Sequence, residues 1–202
     1  MMSSTVLYMS VSLDGFVTGP NEGPENGLGD GGELLHEWIF HGVGHHPKEA
    51  VGGLGDVNSQ IVDEAMSTGA VITGRGTFEA ANGWGGDHHD GVPIYVLSRN
   101  PAPAWAADWP AVHYLSDVAA AAREAKHAAG DTNVLVHGAS VMMQRALTAG
   151  VLDELEIHLI PVLMGDGRRL FERGGLEQRQ LERIRVLEGD RGVTHLRYRV
   201  RR

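Results

Sequence analysis

The chain contains no cysteine. Disulfides, thiolate nucleophiles, iron–sulfur clusters and cysteine-ligated zinc are thereby excluded. Lysine is nearly missing as well: Lys48 and Lys126 are the only two, and arginine carries the remaining basic charge. The 17 basic residues are outnumbered by 26 acidic ones, for a formal net charge of −9. That balance argues against general binding to nucleic acid or to an anionic membrane. No apolar run is long enough for a membrane span, and the opening "MMSSTVLYMSVSLDGF" has no basic n-region and meets Asp14 early. Neither a signal peptide nor a membrane segment is expected, and the expected location is the cytoplasm.

What is present suits a folded core. Apolar residues make up 42% and charged residues 21% of the chain, against disorder. At 202 residues a single domain spanning 1–202 is expected. Val6 to Val11 reads as a buried strand, followed by a long loop rich in Gly, Pro, Asn and Asp. Glu33 to Phe40 reads as a helix with Leu34, Leu35, Trp38 and Ile39 on one face. Asp56 or Asn58 is placed to cap a second helix bearing Ile61, Val62, Ala65 and Met66. Further strands are expected around 71–73, 92–98, 111–115 and 133–137. Helices are expected from Thr77, from a Ser116 cap to near Gly130, and through "ASVMMQRALTAG". A long strand "LDELEIHLIPVL" and a hairpin across "GDRG" complete the pattern. Strands alternating with helices predict a three-layer α/β/α domain, and the terminal hairpin makes its mostly parallel sheet mixed.

Three strands end in small or polar clusters. "AVITGRGTFEA" brings Gly74, Arg75, Gly76 and Thr77 to a strand-to-helix turn, "YVLSRNP" ends in Ser98 and Arg99, and "VLVHGASVM" opens a helix at Gly138, Ala139, Ser140 and Val141. Each has a plain structural reading, as a turn or a solvated arginine. Each also has a chemical one, because ligands of open α/β sheets bind beyond the carboxyl ends of strands and helix N-termini seat phosphates. The dinucleotide fingerprint G-x-G-x-x-G does not follow the first strand, which runs instead into "SLDGF". The clustered histidines His36, His41, His45 and His46, with His88 and His89 beside Asp87 and Asp90, lack an H-E-x-x-H spacing, and no metal is expected. Trp84 in "GWGG" either covers a ligand or anchors its loop.

The order of these segments resembles the dihydrofolate reductase superfamily, in particular the reductase domain of the bifunctional riboflavin-biosynthesis deaminase–reductase. The resemblance rests on "SLDGF", "GRGTFE", "VLSRNP", "VLVHGASVMMQRAL" and "LDELEIHLIPVLMGDGRRLF", and covers nearly the whole chain. It implies NADPH as cofactor, with Gly74, Arg75 and Thr77 at its phosphates and Ser98 and Arg99 on the 2′-phosphate side. Gly138, Ala139, Ser140 and Val141 would lie against the pyrophosphate and nicotinamide ribose. On the substrate side it implies Asp14, whose other reading is a turn-forming aspartate before Gly15. It also implies His158, a proton donor or relay if it faces the substrate and otherwise a hydrogen-bonded core histidine. The acid that dihydrofolate reductases carry on their first helix aligns with Leu35, with Glu33 and Glu37 nearby. Hydride transfer to a small heterocyclic or carbonyl substrate is the implied activity, the loops 13–32, 41–56 and 82–91 are natural lids, and a homodimer is expected. The reading from another class is a non-catalytic nucleotide-binding sensor, which would bind the cofactor without turnover.

Overall fold

Successive side chains of a strand point to opposite faces, and in β1 (Thr5–Ser12) both sets are buried. Such a strand belongs inside a sheet covered on both sides. The computed structural model describes residues 3–23, 25–40, 55–138, 140–171 and 178–201. The other strands are β2 (Ala70–Gly74), β3 (Ile94–Leu97), β4 (Val112–Leu115), β5 (Val134–His137), β6 (Glu154–Ile160), β7 (Leu181–Glu188) and β8 (Thr194–Val200). They form one eight-stranded sheet in the order β4-β3-β2-β5-β1-β6-β8-β7. The first six are mutually parallel. β8 runs antiparallel to β6 and to β7, and a register shift between Arg183 and Arg185 marks a bulge in β7. The sheet is mixed, mostly parallel, with the C-terminal hairpin at one edge.

The helices are α1 (Asp56–Met66), α2 (Arg75–Ala80), α3 (Val118–Ala129) and α4 (Ser140–Thr148). One face of the sheet, with Leu7, Ile72, Val134 and Val136, packs on Ala121, Ala122 and Ala125 of α3 and on Met143, Ala146 and Leu147 of α4. Alanines let α3 lie close to the strands. The opposite face, with Val6, Tyr8, Val71, Ile94, Val96 and Leu135, is covered by Phe78 of α2, Ala106 and Trp109. Ile61 of α1 joins Leu35, Trp38, Ile160 and Val193 in a third cluster on that side.

Several local expectations change. The segment 33–40 is not an α-helix: Gly32–Leu35 is a single 3-10 turn entered through left-handed Gly31 (φ 73°). Its buried residues Leu35 and Trp38 are three apart, which suits the tighter winding, while Leu34 is exposed. Among the described residues the first α-helix is therefore α1. It starts after Gly55 without a side-chain cap, because Asn58 points inward and donates Nδ2 to the Trp38 carbonyl at 3.3 Å. α2 begins at Arg75, two residues earlier than expected. α3 is capped by Asp117 rather than Ser116: the carboxylate accepts the Ala120 N–H at 2.6 Å.

Candidate active site

Parallel pairing between β1 and β5 ends at Leu7 and Val136. β5 stays paired to β2 as far as His137, and β1 stays paired to β6 as far as Ser12. The two central strands therefore part company at their carboxyl ends, where an α/β sheet receives ligands. A cavity of about 840 Å³ opens there, on the face carrying α1 and α2. Its floor is Tyr8 and Ser10 of β1, His137 of β5 and His158 of β6. Ile61, Val62, Ala65 and Met66 of α1 form one apolar wall, and Trp38, Thr77, Ala81 and Trp84 line others. The loop from Val17 to Gly29 contributes Thr18, Glu22 and Leu28 to the lining, and the Glu22 carboxylate meets Arg168 at 2.8 Å.

Two imidazole systems flank β1. On the β6 side His158 lies directly opposite His195 of β8, and their Nδ1 atoms are 2.9 Å apart. His195 Nε2 is 3.2 Å from Asn58 Oδ1. Because the Asn58 amide nitrogen already donates to Trp38, its oxygen must accept, so His195 carries its proton on Nε2. A neutral His195 then offers a lone pair at Nδ1, which takes the proton of His158 Nδ1. This leaves His158 Nε2 without a proton. Burial, then the neighbouring His195, holds the His158 pKa well below the ordinary histidine value, and burial pulls His195 down to about 4. His158 is therefore wired as a neutral hydrogen-bond acceptor; the sequence left open a donor, a relay or a hydrogen-bonded core histidine. The Trp38 ring packs 4.6 Å from it, and its indole N–H is tied to Ser10 Oγ at 2.9 Å.

On the β5 side His137 Nδ1 reaches across the parted strands to the Tyr8 carbonyl at 3.2 Å. Its Nε2 contacts His88 Nε2 at 3.1 Å. His88 Nδ1 meets His89 Nδ1 at 2.7 Å, and His89 Nε2 meets the Thr68 carbonyl at 2.8 Å. Burial lowers His137 to about 4 and raises the Tyr8 hydroxyl to about 12. The left-handed run Gly83, Trp84 and Gly85 turns the indole back over His88, 4.7 Å away. Sequence reading missed the link between His137 and the His88–His89 pair. The available signal was a strand ending in histidine beside a loop with two more.

The residues expected at the cofactor lie on adjacent strand ends. Gly74 pairs with Leu97, immediately before Ser98 and Arg99, and Thr73 pairs with His137, immediately before Gly138. Three neighbouring strands span about 10 Å. Arg75 is exposed, with Glu79 at 3.9 Å, and Thr77 lines the cavity. Ser98 Oγ turns back onto Asn100, accepting its N–H at 3.0 Å and donating to its carbonyl at 2.8 Å, and Arg99 is exposed. Gly138 has φ +144°, and a Cβ there would come within 3.3 Å of Met142. Ser140 and Val141 open α4, and Ala139 lies outside the described residues, as do His41, His45, His46 and most of the 41–56 loop. Asp14 does not line the cavity. It accepts the Ser12 hydroxyl at 2.6 Å and the N–H groups of Met164 and Gly165 at 3.1 and 2.8 Å. The Ser12 hydroxyl, with those amides, lowers its pKa to about 2.

The fold recurs in solved structures. A protein of Shewanella sp. PV-4 assigned to riboflavin biosynthesis is 20% identical, with 98% of this chain and 99% of that one covered and a TM-score of 0.69. A pyrimidine reductase-like protein of Corynebacterium diphtheriae is 14% identical over 99% and 92% of the two chains, TM-score 0.61. Dihydrofolate reductase from Enterococcus faecalis, complexed with NADP(H), is 14% identical over 100% and 99%, TM-score 0.61. No curated protein matches the chain. Residues 4–195 match the model of the RibD C-terminal domain, so the chain belongs to the RibD C-terminal domain family and carries its reductase fold.

Proposed function

We propose that this chain is an NADPH-dependent reductase of a small heterocyclic or carbonyl substrate. The observation that carries this reading is the cavity opened by the parting of β1 and β5, beside three adjacent strand ends that carry Gly74, Arg99 and Gly138. The cofactor fits these residues: Gly138 and Gly74 leave open the space beside Met142 that a Cβ would enter, and the first turn of α4 presents free amides there. In this reading Gly74, Arg75 and Thr77, with Gly138, Ala139, Ser140 and Val141, hold the phosphates and the nicotinamide ribose, and Ser98 and Arg99 take the 2′-phosphate. NADPH, when bound, supplies a hydride at C4. The chain aligns the partners and keeps water out. His158 Nε2 accepts a hydrogen bond from a substrate N–H or O–H and so orients the acceptor ring. Asp14 is a positioning residue, pinning the turn at 164–165 next to Arg168. Cytoplasmic location and a homodimer belong to the same reading, on the family resemblance.

The test is a titration of the purified protein with NADPH and NADH, followed by fluorescence, for wild type and Arg99→Ala. Tight, salt-sensitive NADPH binding that falls about tenfold in the variant, with NADH unchanged, is expected. If neither nucleotide binds near millimolar concentration, the reading fails. Binding without turnover across pterins, pyrimidinones and small carbonyls would instead favour a sensor.

A further inference from the structure

The chain from His137 through His88 to His89 ends on a carbonyl at both sides: Tyr8 O at one end and Thr68 O at the other. Carbonyls only accept, so His137 Nδ1 and His89 Nε2 must both carry protons. Thr68 Oγ1 cannot replace that carbonyl as a donor, since its hydroxyl is directed to the Ala65 carbonyl at 2.7 Å. Between the ends lie two nitrogen–nitrogen contacts, at 3.1 and 2.7 Å, each of which needs one proton. Two end bonds and two internal bonds require four protons, whereas three neutral imidazoles hold three. With three, one buried pair of nitrogens would face each other with lone pairs only, an unmade bond in a dry interior. His88 and His89 are fully shielded, at 0% and 2% exposure.

We propose that His137, His88 and His89 form a proton store that holds one proton beyond the neutral count and delivers it through His137 to the substrate. The delivery half rests on the reductase reading above; the proton count does not. Every bond of the chain survives whichever ring is the imidazolium, so the charge moves by short N–H to N transfers. Burial opposes a cation on His137 and on the equally shielded His88 and His89, so the charge has no fixed seat among the three and reaches His137 from His89 through His88. Among the described residues, titratable groups beside the chain include Tyr8 of β1, whose carbonyl His137 meets, His158 of β6 and His36, and the loop that holds His88 and His89 also carries Asp87 and Asp90. The Asp87 carboxylate accepts the Gly91 N–H, and Asp90 is exposed.

When a C=N or C=O carbon has gained a hydride, its heteroatom carries the new electron pair. It takes the proton from His137 Nδ1: that N–H bond breaks and the heteroatom–H bond forms. The His88 Nε2 proton shifts to His137, the His89 Nδ1 proton follows to His88, and the three rings are left neutral. The reduced heteroatom then donates back to His137 Nδ1 in place of the Tyr8 carbonyl contact, so all four hydrogen bonds are again made. Solvent restores the fourth proton after release.

The experiment is long-range proton–nitrogen NMR of histidine-labelled, nucleotide-free protein at pH 7. One ring of the three is expected to show both nitrogens protonated. His88→Gln keeps a donor and an acceptor in the chain and is expected to retain one imidazolium. His88→Met cuts the chain and is expected to leave His137 and His89 neutral. Three neutral rings in the wild type, or identical patterns in the two variants, overturn the store. For delivery, the readout is reduction of whichever pterin or pyrimidinone the wild type turns over. His88→Met, which breaks the path, is expected to lose about 100-fold above pH 7 and much less at lower pH, where solvent protons are plentiful. A loss that is the same at every pH overturns delivery. The NMR arm uses no cofactor, so a failure of NADPH to bind and a failure of the proton count are separate results.

Discussion

Arg185 of β7 is the pivot of a half-buried charge network that fixes α1, and with it one wall of the cavity. Its two terminal nitrogens grip both oxygens of Glu64 at 2.6 Å, and one of them also reaches Glu156 at 3.1 Å. Replacing it by leucine removes three bonds of unequal weight. The Glu64 pair is partly solvated, with side chains 21% and 29% exposed, and is worth about 1 kcal/mol. Glu156 is fully buried; without Arg185 it keeps only Arg197, whose Nε lies 3.7 Å away. Orphaning that buried carboxylate costs more than the surface pair, and the expected total is about 3–5 kcal/mol. For a chain of this size that lowers Tm by about 10 °C. The pH dependence has a definite sign. Burial raises the Glu156 pKa in the folded state, so its contribution is present while it is protonated and lost as pH rises through the folded value. Arg185→Leu is therefore expected to cost more at pH 8 than at pH 5.5, and Glu156→Gln in that background to recover part of the loss. Urea unfolding at the two pH values measures both. A loss below about 1 kcal/mol, or a pH trend of the opposite sign, would refute the assignment of a buried, Arg-dependent carboxylate.

Three further outcomes follow from particular geometries. Gly138→Val places a branched side chain at φ +144° and against Met142; it should weaken NADPH binding at least tenfold while costing about 1–3 kcal/mol in urea unfolding. His195 is lowered to about 4 by burial, so the stability it contributes is complete above its ordinary pKa of about 6.5 and is lost as pH falls toward 4; thermal unfolding from pH 7 to 4.5 should show the decline, and His195→Phe should flatten it. Asp14→Ala removes the acceptor for the Met164 and Gly165 amides, and limited proteolysis should cut faster around 162–169, with Asp14→Asn intermediate.

The strands were legible because their signal is local: the apolar run of β1 and short β-branched runs ending in glycine or serine need no knowledge of neighbours. The strand ends after β3, β2 and β5 lie side by side because those strands are neighbours in the sheet, a pairing of β2 with β5 that no local signal carries. What escaped the sequence was decided by partners far along the chain. Glu33 to Phe40 has a helical spacing, yet left-handed Gly31 and the burial of Leu35 with Trp38 make it a 3-10 turn. Asn58 looks like a cap, yet a carbonyl twenty residues back and a histidine on β8 claim its amide. His158 was visible as a candidate, but its tautomer depends on that same asparagine. Composition gives no hint that His88, at the end of a glycine-rich loop, meets the last residue of β5.

The parting of β1 from β5 also has a mechanical meaning. The sheet consists of two leaves, β4-β3-β2-β5 and β1-β6-β8-β7, joined by a ladder only three residues long at one end. Immediately beyond that short spine the gap is bridged by the bond from His137 to the Tyr8 carbonyl. The proposed nucleotide contacts ride on the first leaf, and His158 rides on the second. The dihedral angle between the leaves therefore sets the separation of the proposed electron donor and acceptor, and the buried cluster that packs across both leaves holds that angle.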